Sequence, residues 1–174
     1  MKRPASTQAE KMIKVDHTGE NGAVNIYRAQ YIAATLRCPG LKPQLKDFQH
    51  HEEEHREIFR LYLNKVGIRR CVSYHFAGIG GFALGLVTGL IGPTAIAATT
   101  YAVENVVLVH LEKQLSFLET DSHDAFLAVK AIYDDEKEHH DHAKSQLGKN
   151  SILAKIIISI VRLSTECVIR FGMR

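Results

Sequence analysis

The motif Glu-x-x-His stands twice in this sequence, as Glu52 to His55 and Glu136 to His139. Each copy is preceded by another glutamate, and the interval from Glu20 to Glu52 equals that from Glu104 to Glu136. Three residues is nearly one turn of α-helix, so both side chains of a motif project from one face and can grip one ion. The midpoint of the first interval, residue 36, opens the turn Arg37 to Pro43, and that of the second, residue 120, lies in the turn Thr120 to Ser122. In an antiparallel helical hairpin, residues equidistant from the turn sit at one height. Each half of the chain therefore brings one Glu and one Glu-x-x-His to a common level, and a single offset carries every ligand of the first half onto one of the second.

Caps and breakers agree with this division. Thr7 and Glu10 have capping-box spacing ahead of an amphipathic run, and Cys38-Pro39-Gly40 ends it. Gly148 is expected to close a later helix in the left-handed C-cap conformation, and Asn150-Ser151 to cap the next. The predicted core helices are 7–36, 44–64, 94–118 and 122–147, with further helices over 74–91 and 151–171. No alternating strand pattern with hairpin turns appears, so the class is all-α. At 174 residues the whole of 1–174 reads as one domain.

Four glutamates and two histidines at one level make a site for two metal ions, the arrangement of ferritin-like four-helix bundles. Carboxylates with some imidazole suit iron or manganese better than thiophilic metals. The ligands divide as Glu20, Glu52, His55 and Glu136 against Glu52, Glu104, Glu136 and His139, with Glu52 and Glu136 bridging. Asp16 and Asp135 are placed to orient ligand imidazoles, Asp135 one turn before His139. The remaining clustered histidines, His50, His51, His140 and His142, read as exposed or as partners of ligands, and Tyr27 and Tyr133 as core packing. The cysteines Cys38, Cys71 and Cys167 form no CxxC pair, which disfavours a disulfide scaffold or zinc ribbon. A net charge of +3 without a Lys/Arg block argues against nucleic acid.

From Phe76 to Val103 the only ionisable side chain is Tyr101, and six of the twelve glycines fall in this stretch. Gly92-Pro93 cuts it, leaving a first piece shorter than the ~20 residues that span a bilayer. It reads as a helix lying against protein or dipping into one leaflet. Gly81, Gly85 and Gly89 recur every four residues, which suits close helix packing and a smooth groove for a lipid tail equally. The final helix is apolar over more surface than one core contact needs, with Lys155, Arg162, Glu166 and Arg170 on one stripe. Burial in a bundle and a membrane interface both account for it.

The segments VDHTGENGA (Val15 to Ala23), AVE (Ala102 to Glu104) and DDEKEHHD (Asp134 to Asp141) resemble the demethoxyubiquinone hydroxylases of ubiquinone biosynthesis. The likeness runs from about Glu10 to the C-terminus, and it implies a ferritin-like four-helix core with the 74–91 and 151–171 helices added. It implies six iron ligands at Glu20, Glu52, His55, Glu104, Glu136 and His139. With two Fe ions and O₂ as co-substrate, the family hydroxylates the one remaining ring C–H of a polyprenylated methoxy-methyl-benzoquinol. NADH or the quinol itself is the implied electron donor, and Lys11 and Arg170 match places where relatives put basic residues near that cofactor. Two departures stand out: Leu111 follows His110 where many relatives have Tyr, and the ending ECVIRFGMR differs from the family's.

The polyprenyl quinol substrate explains the apolar excess, and it makes 74–91 with 151–171 a membrane-facing entrance. Charged replacements of Leu84, Leu86 or Ile157 are then expected to release the protein from liposomes. A peripheral place on the cytoplasmic face of a bacterial inner membrane is expected, the first dozen residues showing no targeting segment, with the mitochondrial matrix face as the alternative. A homo-oligomer and a place in a ubiquinone-biosynthesis complex remain open. The rival readings are a soluble ferritin-like iron oxidase or peroxide-decomposing protein, and a non-enzymatic membrane-associated helical scaffold.

Overall fold

A computed structural model describes residues 2–148 and 151–172, with side chains through 170. Among the described residues six helices run in chain order: α1 (Gln8–Arg37), α2 (Lys42–Lys65), α3 (Tyr74–Ile91), α4 (Pro93–Asp121), α5 (His123–Gln146) and α6 (Ile152–Gly172). A single 3₁₀ turn, Pro39–Leu41, joins the first two, and no strand occurs among the described residues. The protein is all-α, in the ferritin-like manner that the sequence pattern leads one to expect.

The ends of these helices follow from side-chain chemistry. Thr7 accepts from the Glu10 N–H while the Glu10 carboxylate takes the Thr7 N–H, so two orphan donors of α1 are satisfied together. The peptide N–H of Gly92 still bonds Thr88, but its φ of 122° turns the chain out of α3, a conformation open to glycine. Pro93 then opens α4 at the position where a missing N–H costs nothing. Gly148 does not adopt the expected left-handed cap, since among the described glycines only Gly67 and Gly92 have positive φ and extended Leu147 ends α5 instead. Ser151 Oγ accepts from Ala154 N and caps α6, while Asn150 lies outside the described residues.

The helices form two similar units. In the first, α1 packs on α2 and on α3, and in the second α4 packs on α5 and on α6. One apolar layer joins Ile13, Phe59, Leu63, Leu111, Leu118, Val129 and Ile132 across α1, α2, α4 and α5. A second joins Tyr27, Leu45, Phe48 and Ile96. Along each of α1, α2 and α4 the proposed ligands lie between the residues that belong to the two layers. The bundle thus encloses a polar level between apolar ones.

The glycine stripe of α3 lies against α1. A Cβ on Gly81 would come within 2.3 Å of the Gly22 carbonyl oxygen, and one on Gly85 within 2.2 Å of the Ile26 carbonyl oxygen. Gly89 follows onto Gln30 and Ala33, so the two helices run parallel and in contact backbone to backbone. Of the two uses open for this stripe, close helix packing accounts for it.

Both α3 and α4 are long and apolar enough to cross a membrane by length and composition, but α4 is packed within the bundle. On α3 the side chains of Phe76, Ile79, Val87 and Leu90 face outward, and on α6 those of Ile152, Ile156, Ile160 and Leu163 do the same. The opposite face of α6 joins a third apolar cluster containing Ile26, Ala98, Ala102, Ala154, Ile157 and Val161, with Leu84 of α3 packed against it. Leu84 and Ile157 therefore point inward and are poor probes of the outer surface, whereas Leu86 is exposed.

Candidate metal centre

Glu20 comes from α1, Glu52 and His55 from α2, Glu104 from α4, and Glu136 and His139 from α5. All six are buried, none more than 5% exposed. One ligand atom from each of Glu20, Glu52, His55 and Glu136 lies within 4.8 Å of the others, and the same holds for Glu52, Glu104, Glu136 and His139. Glu52 and Glu136 belong to both groups, in the place of bridges.

Contacts within the cluster cross from one hairpin to the other. His55 Nδ1 is 3.0 Å from Glu136 Oε1 of the other hairpin, and 3.8 Å from Glu52 Oε2 on its own helix. His139 Nδ1 is 3.2 Å from Glu52 Oε1, yet neither atom has hydrogen-bond geometry to any partner, and Glu136 Oε2 is equally unpartnered. Buried polar atoms without partners are costly. Three of them converging among four carboxyls and two imidazoles fit a divalent cation, which accepts lone pairs from all directions. This donor set suits oxygen- and imidazole-binding metals.

Electrostatics within the cluster follow from its burial. Burial, together with the charges of Glu52 and Glu136, holds the Glu20 carboxyl well above its ordinary range. Burial and the same two neighbours, Glu136 foremost, raise Glu104. Burial also works against charge on Glu52, but the adjoining imidazoles of His139 and His55 outweigh it and hold that carboxyl below its ordinary range. Both imidazoles are raised: burial opposes their charge, and Glu136 with Glu52 overcomes it at His55, Glu52 with Glu136 at His139.

The outer neighbours are less regular than the six. Asp135 Oδ2 meets His55 Nε2 at 3.1 Å, so it reaches across the bundle and does not orient the histidine of its own helix. Asp16 accepts from Gln114 Nε2 at 2.9 Å and makes no contact with either imidazole, contrary to the role its position suggested. His51 Nδ1 lies 3.0 Å from His139 Nε2, and the two rings stack. Tyr27, expected to serve as packing, is buried and donates its hydroxyl to Glu104 Oε1 at 2.7 Å. Its place two turns after Glu20 on one helix face was the available signal. Tyr133 bonds Glu112 at the surface. Lys11 lines a cavity of about 490 Å³ with Lys14, Arg69, Arg70 and Phe76, while Arg170 stands 3.6 Å from Glu166 near the end of α6.

The family model for the ubiquinone biosynthesis protein COQ7 matches residues 7–172. The mitochondrial NADPH-dependent 3-demethoxyubiquinone 3-hydroxylase of Dictyostelium discoideum is 30% identical over 168 residues, which cover 95% of this chain and 76% of the relative. The mitochondrial 5-demethoxyubiquinone hydroxylase of Saccharomyces cerevisiae is 39% identical over 106 residues, 61% of this chain and 46% of its own. A bacterial 3-demethoxyubiquinol 3-hydroxylase, from Variovorax paradoxus, is 32% identical over 132 residues, 76% of this chain and 62% of its own. The chain thus spans between 46% and 76% of the length of these relatives. With the fold, the buried carboxylate–imidazole cluster and a match over nearly its whole length, the chain belongs to the family of the ubiquinone biosynthesis protein COQ7.

Proposed function

We propose that this chain is a 3-demethoxyubiquinol 3-hydroxylase, an oxidoreductase that places one atom of O₂ on the ring of a polyprenylated demethoxy-benzoquinol. The observation that carries the reading is the pair of buried four-residue groups sharing Glu52 and Glu136. Glu20, Glu52, His55 and Glu136 would hold one iron ion, and Glu52, Glu104, Glu136 and His139 the other. The metal pair supplies the activation of O₂. The balance is one ring C–H, one O₂, two electrons and two protons giving one ring C–OH and one water.

The protein's own residues position and enclose. The apolar layers above and below the cluster keep bulk water from it, and crossed hydrogen bonds between α2 and α5, from His55 to Glu136 and Asp135 and from His51 to His139 Nε2, hold both imidazoles with Nδ1 inward. The two electrons enter from a donor. The Dictyostelium relative is named as NADPH-dependent, and a nicotinamide or the quinol itself fills that role here, with Lys11 and Arg170 as the cationic contacts. The outward apolar faces of α3 and α6 support a peripheral place on a membrane, where a polyprenyl tail resides. Mitochondrial relatives and a bacterial one leave two settings, of which we take the cytoplasmic face of a bacterial inner membrane first.

The deciding experiment is aerobic turnover of the iron(II)-loaded protein with a short-chain demethoxyquinol, following the ring by mass. A gain of one oxygen atom in the product, carrying label from ¹⁸O₂, is expected. Peroxide consumption with no quinol product would instead favour a ferritin-like oxidase, and absence of bound metal a scaffold.

A further inference from the structure

The internal repeat carries Glu20 onto Glu104, Glu52 onto Glu136 and His55 onto His139, all by one offset. The side chains that hold these ligands break the repeat. Behind His55, Asp135 Oδ2 takes the outer nitrogen Nε2 at 3.1 Å, and behind His139 the outer Nε2 meets His51 Nδ1 at 3.0 Å. Asp135 and His51 are themselves related by the same offset. One structural position therefore puts a carboxylate behind one imidazole and another imidazole behind its counterpart.

A second break lies on the carboxylate side. The Tyr27 hydroxyl donates to Glu104 Oε1 at 2.7 Å. Its counterpart in the second half is Leu111, buried in the apolar layer beside Ile13 and Phe59, which offers Glu20 no donor. A carboxylate on the outer nitrogen makes a ligand imidazole a stronger donor to a metal ion, and a neighbouring imidazole brings no negative charge. A phenol bonded to a ligand carboxylate draws charge away from the metal. Both differences lean the same way.

We infer that the two metal positions are unequal: the Glu20–His55 position binds its ion more tightly and fills first, with Asp135 and His51 as the positioning residues that set the order. The inference rests on the metal-centre reading above, and it can fail while that reading stands.

The test is a Mn(II) titration of the metal-free full-length chain, with bound ion measured by equilibrium dialysis and the single or coupled ion state by EPR. The wild-type protein is expected to bind two ions in two resolved steps, the first giving an isolated Mn(II) spectrum. Glu104→Ala should retain one ion at the tight affinity, and Glu20→Ala one ion at the weak affinity. Asp135→Asn should weaken the first step by about 10- to 100-fold and spare the second. His51→Asp should strengthen the second step alone. Circular dichroism on each variant separates folding from binding, since a merely structural role would weaken both steps together. Two equivalent ions in the wild type, a tight ion retained by Glu20→Ala, or equal weakening of both steps by Asp135→Asn would each overturn the inference and leave the metal centre intact. Fewer than two ions bound by the wild type would overturn the metal-centre reading, and the inference with it.

Discussion

The carboxyl of Asp16 accepts one hydrogen bond, from Gln114, while its Oδ2 is buried without a partner. Burial pushes its pKa up to about 7 from an ordinary 3.8, the Gln114 bond pulling the other way. The folded state then keeps a proton that the unfolded state has already released, so stability falls as pH rises through that window and is lowest above it. Asp16→Asn is neutral and keeps the acceptor for Gln114. It should leave stability near pH 4 unchanged and raise it at pH 8, by at most roughly 4 kcal/mol, as read by urea denaturation at both pH values. Within the cluster the raised Glu20, Glu104, His55 and His139 hold protons that a cation must displace. Metal affinity is therefore expected to rise with pH, and calorimetry in buffers of different ionisation enthalpy should show protons released on binding. Which partner each residue meets across the bundle was not readable beforehand. Asp135 lies one turn before His139 in sequence, but the rotation of α5 against α2 delivers it to His55.

At the scale of the helix, α3 separates packing from exposure residue by residue. Gly80 has nothing within 4 Å of an added Cβ, while Gly85 has the Ile26 carbonyl at 2.2 Å. Gly80→Ala should stabilise by about 0.5–1 kcal/mol through helix propensity, and Gly85→Ala should destabilise by about 3 kcal/mol or more by forcing α3 off α1. Thermal melts of the two variants check the contrast. The glycine spacing alone left a tail groove and a tight helix contact equally open, because spacing says which face is smooth and not what lies on it. Caps and breakers were more informative: Pro93 and the Thr7–Glu10 box act within a few residues of themselves. On the outer surface, Ile79→Glu with Val87→Glu, or Ile156→Glu with Ile160→Glu, should abolish sedimentation with anionic vesicles and leave the melting temperature unchanged. Binding that survives both pairs would mean these faces meet something other than lipid. Ile157→Glu belongs to a different class, since that side chain is 9% exposed in the cluster beneath α6 and its replacement should unfold the protein.

Across the whole molecule, the internal repeat is what made the architecture readable. Two hairpins with one ligand spacing must stack face to face for their polar residues to share a level, and an all-α chain of 174 residues has few other ways to bury four glutamates. The same repeat concealed the differences between its halves, because Asp135 against His51 and Tyr27 against Leu111 become meaningful only once contacts are seen.

Neither half owns a complete set of the proposed ligands: Glu20, Glu52 and His55 wait for Glu136, while Glu104, Glu136 and His139 wait for Glu52. On the ribosome the first half emerges with its acids in place and nothing to close them. Both groups are whole only after His139 has been added, so under the proposed metal reading neither half can hold the pair of ions before α5 has emerged.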